Sequence, residues 1–152
     1  MAEYVIGGTL QHLIEACRNS EVGYRAAAEH LQDESLKQVF HEYARQRCNF
    51  YEALQQKVHA ASMTQPIPQS STVRNAQKTW LKLKSAIKRG DPNQIIQVVE
   101  AAEKALIQVY RETLCDPNLH LVSRMTVQAQ YSSVYAAHQH VQSLLMQVSA
   151  RR

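Results

Sequence analysis

Residues 72–92, TVRNAQKTWLKLKSAIKRGDP, decide the fold. Val73, Ala76, Trp80, Leu83 and Ile87 recur at three- and four-residue intervals, which places them on one face of a helix. Gly90 suits the left-handed position just past its end, and Asp91-Pro92 pairs a capping acid with proline at a first helical position. The spacing predicts a helix over 72–89, roughly 27 Å long at ~1.5 Å per residue. Before it, SMTQPIPQSS carries two prolines among small polar residues and reads as a loop ending in a cap at Ser71 or Thr72. A helix so placed can carry the chain from one end of a bundle back to the other.

Longer rods are predicted on both sides. Leu10, Leu13, Ile14, Cys17, Tyr24, Ala28 and Leu31 set a helix over 9–31. Asp33 suits an N-cap, and Leu36, Phe40, Tyr43, Phe50, Leu54 and Val58 continue a second helix over 34–62 in an antiparallel hairpin. A fourth helix is expected over 92–115, and Asp116-Pro117 repeats the Asp-Pro start for a fifth over 117–150. The expected fold is all-α, a four-helix bundle with an additional helix in the crossover, which makes helices two and four parallel. The 152 residues, 45% hydrophobic and 20% charged, suit one domain over 1–152, with four Gly and four Pro bunched at the breaks. No apolar run approaches the ~20 residues of a membrane span, and the N-terminus lacks the pattern of a signal peptide. Three widely spaced cysteines, Cys17, Cys48 and Cys115, suggest neither a disulfide framework nor a zinc site, and a reducing, cytoplasmic location is expected.

The net charge of +4 is local. Without Arg74, Lys78, Lys82, Lys84, Lys88 and Arg89, eleven basic side chains face thirteen acidic ones. A solvated basic face is the simpler reading; Lys78, Lys82, Lys84, Lys88 and Arg89 as a site for nucleic acid, polyphosphate or an anionic membrane is the sharper one. Neither nucleic acid nor membrane is strongly indicated.

Polar residues on the inward stripes carry the functional question. Those stripes place Glu21, Arg47, Glu103 and His138 inward near the middle of their helices, with Glu100 at the edge. On the last helix the stripe reads Leu121, Met125, Gln128, Tyr131, Tyr135, His138, Val141 and Leu145. Buried charges need partners, so a shared polar layer explains these residues together. Di-iron and di-manganese bundles use one Glu from each of two helices and Glu-x-x-His from the other two. Here the corresponding places hold Tyr135-x-x-His138 and Ala44-x-x-Arg47, and a permanent cation at 47 opposes a second metal. Two readings remain: one iron or manganese ion on Glu21, Glu103 and His138, helped by Glu100 and flanked by Tyr131 and Tyr135, or Arg47 bridging Glu21 and Glu103 without metal. His12, His30, His41, His59, His120 and His140 are scattered, and no nucleophile motif, phosphate loop or Cys-x-x-Cys pair suggests an enzyme.

Glu21-x-Gly23-Tyr24, Ala28-Glu29, Arg47 followed by Phe50, Trp80, the Glu100/Glu103 pair before Tyr110, and His138 occur in combination. Together they resemble the bacterial ferritin-like four-helix-bundle family catalogued as domain of unknown function 2383, over roughly 8–148. The resemblance implies a fold similar to ferritins and rubrerythrins, with no established activity. A histidine that members often carry three residues before the tryptophan stands here as Gln77. The expectation is a ferritin-like bundle, dimeric through its long helices. It either handles metal in stress protection or serves as a non-enzymatic interaction protein.

Overall fold

The computed structural model describes residues 8–60 and 67–151, in five helices: α1 (Gly8–Glu29), α2 (Glu34–Ala60), α3 (Ser71–Arg89), α4 (Pro92–Leu114) and α5 (Leu121–Ala150). Among the described residues there is no strand, and no helix is long and apolar enough to cross a membrane. The expected end of the second helix and most of the proline-containing linker lie outside the described residues.

Local chemistry explains the boundaries. The Asp33 carboxylate accepts from the N–H groups of Ser35 and Leu36, starting α2. Ser70, one residue earlier than expected, caps α3 by accepting from the Val73 N–H at 3.2 Å. Gly90 ends α3 with φ 68°, donating to the Ile87 carbonyl, and Asp91 caps α4 at the Asn93 N–H. Asp116-Pro117 does not start α5, which begins at Leu121. The Asp116 carboxylate instead accepts from the Asn118 N–H at 2.9 Å, and its carbonyl from the Leu119 N–H at 3.2 Å, forming a tight turn with Pro117 at its second position. Thr9 binds the other Asp116 oxygen at 2.7 Å, while Arg124 reaches back from α5 to the carbonyls of Leu114 and Asp116. The aspartate is thereby used to join α1 to the turn, and an arginine satisfies the carbonyls at the end of α4.

Contacts between helices give the topology. Helices α1, α2, α5 and α4 form a ring of neighbours, and α3 lies outside it against α1 and α4. Thr9 meets Asp116, Tyr43 meets His140 and Asn93 meets Ser149, so α1 opposes α4, and α5 opposes both α2 and α4. The chain therefore runs up in α1, down in α2, up through α3 as the crossover, down in α4 and up in α5. The core has two apolar parts, one around Leu13, Leu54, Leu106 and Val127, the other around Tyr24, Phe40, Ile96 and Val141.

The inward stripe of α5 differs from the expected one. Leu121, Met125 and Tyr135 are 72%, 64% and 43% exposed, whereas Ser123, Val127, Gln130, Val134, Ala137 and Val141 are buried, together with His138. Both series follow the 3-then-4 spacing. The smaller residues are inward, and the backbone of α5 lies closest to α4.

Candidate functional site

The level between the two apolar parts is occupied by charge. Position 47 lies two turns from buried Phe40 and from buried Leu54, and position 103 stands in the same relation to Ile96 and Tyr110, so both side chains enter the core. Arg47 and Glu103 are each 0% exposed. The guanidinium grips Glu103 with two parallel bonds, Nη1 to Oε1 and Nη2 to Oε2, the second at 2.7 Å. Nη1 also donates to Ser20 Oγ at 2.9 Å, and Nε to Gln46 Oε1 at 3.1 Å. The ring of Tyr24 lies 5.3 Å and that of Tyr43 6.0 Å from the guanidinium carbon, adding cation–π attraction.

A second chain of hydrogen bonds adjoins the pair. Tyr110 donates to Gln130 Oε1 at 2.8 Å, and Gln130 Nε2 donates to the Phe50 carbonyl at 3.3 Å. With the Tyr110 proton so committed, the Cys17 thiol is the donor across its 3.3 Å contact with the Tyr110 oxygen. The two networks together draw on all four ring helices: Cys17 and Ser20 from α1, Arg47 from α2, Glu103 and Tyr110 from α4, and Gln130 from α5.

Titration follows from this environment. Burial pushes the Cys17 thiol from 9.0 up to about 11, the Tyr110 bond opposing that shift. Burial likewise raises the hydroxyls of Tyr24 and Tyr110 well above their ordinary value, aided at Tyr24 by the Glu103 charge and at Tyr110 by Cys17. Desolvation works against the Arg47 cation, but Glu103 outweighs it and the guanidinium is held more firmly protonated than usual. The Tyr24 hydroxyl is buried near Glu103 but makes no well-formed hydrogen bond among the described residues.

The other expected site residues are dispersed. Glu21 lies at the edge of the bundle, accepting from Arg25 at 2.6 Å and from the Tyr51 hydroxyl at 3.0 Å, so Arg47 bridges Glu103 to Ser20 and not to Glu21. His138 pairs with Glu100 at 2.6 Å on the α4–α5 seam. Tyr131 accepts from Arg111 Nε at 3.0 Å, and Tyr135 stands in solvent beside it. The expected ligands Glu21, Glu103 and His138 thus belong to three separate pairs. Among the described residues, no group of three or more His, Cys, Asp or Glu side chains is placed to hold a metal ion. The central layer does not fit one: both Glu103 oxygens are taken by a fixed cation at the place a metal would need. Lys78, Lys82, Lys84, Lys88 and Arg89 are exposed along α3.

Ser20 and Gln130 complete the layer, and sequence reasoning missed both. Ser20 is one residue from the Glu21 that the stripe allowed equally well. Gln130 belongs to the small-residue stripe of α5, whose regular spacing was its only signal.

Such a molecule is an all-α helical bundle closed around a buried salt bridge. The chain belongs to the family described as a domain of unknown function, DUF2383, whose model matches residues 6–116. The matched segment ends just after α4, so α5, with Gln130 and His138, lies outside it. Neither a curated protein nor a solved structure matches the chain.

Proposed function

We propose that the protein is a ferritin-like bundle that acts as a non-enzymatic interaction protein, its Arg47–Glu103 pair standing where metal-carrying bundles keep their ligands. The fork of Arg47 on Glu103 carries this reading, because it neutralises the central carboxylate with a permanent charge and leaves that carboxylate no free oxygen. The crossover through α3 supports the ferritin-like assignment. Free Cys17, Cys48 and Cys115 fit a reducing, cytoplasmic compartment. The competing reading is a stress-related protein holding one iron or manganese ion on Glu21, Glu103, His138 and Glu100.

Anaerobic titration with Fe(II) or Mn(II), followed by metal analysis of the desalted protein, separates the two. The expected result is no stoichiometric uptake; one ion per chain, lost in Glu103→Ala or His138→Ala, would overturn the proposal.

We further propose that the molecule is a homodimer joined through α5. Of the exposed large apolar residues among the described ones, Leu121, Val122, Met125, Tyr135 and Met146 lie on this helix. Its sole charged residue, Arg124, is turned back to the end of α4. A long face without charge can meet its own copy without like-charge repulsion.

A further inference from the structure

We infer that the trough between α1 and α3 is a docking site for an acidic amphipathic helix of a partner protein. The trough has a volume of about 640 Å³, and its walls include Val22, Gly23 and Ala26 from α1 and Trp80, Leu81 and Lys84 from α3. Its lips are apolar side chains held out in water, Val22 at 66% and Leu81 at 75% exposed. Neither is needed by the core of the bundle, and together they form an apolar patch at the mouth of a concavity.

Gly23 makes the hollow. A Cβ built there would stand 2.3 Å from ring carbons of Trp80, so only glycine lets the indole approach the α1 backbone this closely. The lining covers residues 19–26 of α1 and 77–87 of α3, about two to three helical turns, a length that suits a third rod with apolar residues at i, i+3/i+4 and i+7.

Charge states which rod. On α3 the trough is lined by Gln77, Leu81 and Lys84, with Lys88 four residues further along the same stripe, and the helix has six basic and no acidic side chains. Lys78, Lys84 and Lys88 are exposed, and none of the ion pairs among the described residues engages them. Within the trough the facing lip on α1, Asn19, Val22 and Ala26, is uncharged, and the same stripe carries exposed Glu15 and Glu29 beyond its two ends, which disfavours acids on that side of a docked helix. A complementary helix therefore carries its acids on the flank of its apolar stripe that meets α3. A bilayer is a poorer match: α3 has already spent its own apolar face, Val73, Ala76, Leu83 and Ala86, on the bundle and has little left to insert.

The inference rests on the reading of the protein as an interaction bundle, yet the two fail separately. Stoichiometric metal uptake would refute that reading while leaving the trough untouched, and a silent trough would leave a metal-free bundle intact. Trp80 is the chain's one tryptophan, so its emission reports the trough directly. The full chain is titrated with a synthetic helical peptide of about 18 residues, five turns, bearing leucines at the stated spacing and glutamates along one flank. A peptide with lysine for each glutamate and vesicles of equimolar phosphatidylglycerol and phosphatidylcholine are the comparisons. The expected result is a saturable change in Trp80 emission with the acidic peptide, weakened about tenfold or more by Leu81→Gln and by Lys84→Glu. Both variants alter exposed residues and keep the helical circular-dichroism signal. No saturable change, an equal response to the lysine peptide, indifference to both substitutions, or a response to vesicles alone would each overturn the inference.

Discussion

Arg47 shows how one residue determines what the centre of this bundle can do. Its guanidinium is buried because Glu103 grips it, two tyrosine rings face it and the Ser20 hydroxyl accepts a further hydrogen bond from it. A carboxylate and a guanidinium at matched depth were legible in the 3.6-residue spacing of their helices. Ser20 was not. Cys17 and Tyr24 are seven residues apart, and either position 20 or 21 completes the stripe; the larger, charged Glu21 drew attention, but it reaches Arg25 and Tyr51 at the bundle edge. The buried thiol and hydroxyls beside the pair make stability depend on alkaline pH. Their neutral forms are favoured in the folded state, so this contribution is fully present below pH 9.0, where Cys17 ordinarily titrates, and is lost as pH rises towards about 11 and beyond. Unfolding free energies from urea titration should hold from pH 7 to 9 and then fall, by up to about 1.4 kcal/mol per pH unit for each such group. Cys17→Ala should make that fall shallower; a slope unchanged in this variant would contradict the assignment.

At the scale of elements, the helices with distinct caps were the most legible. Gly90 and Asp91-Pro92 act locally, through a positive φ and a side-chain bond to the next N–H groups, so the sequence around them suffices. Asp116-Pro117 has the same letters but a different outcome, because Thr9 and Arg124 arrive from elsewhere in the chain and hold the aspartate in a turn. Helix α5 offers two regular stripes, and nothing within its own sequence states that the small one faces inward. The helix accordingly makes a paired prediction. Val134→Ala, at a position 0% exposed, should cost about 1 to 3 kcal/mol in urea unfolding, whereas Met125→Lys, compared with the parent at a dilution where both are monomeric, should change stability by less than about 0.5 kcal/mol. In light scattering coupled to size exclusion, Met125→Lys should shift the proposed dimer to monomer. A costly Met125→Lys with a neutral Val134→Ala would reverse the two faces.

For the molecule as a whole, the polar level divides the apolar core and ties together the four ring helices, while α3 seals the α1–α4 side and presents its bases to solvent. The all-α class and the crossover were legible because breakers and caps are local. The grouping of the expected ligands was not, because it depends on rotations of whole helices that shift each polar side chain to a different neighbour. The central claim is that Arg47 and Glu103 form a self-contained clamp. Each stabilises the other, and breaking the pair leaves an uncompensated buried charge. A double-mutant cycle tests this most directly, with urea unfolding of Arg47→Met, Glu103→Leu and the double variant. Each single substitution should cost about 3 to 5 kcal/mol, and the double variant should lose less than either. Single losses below about 1 kcal/mol, or a double loss equal to their sum, would contradict it.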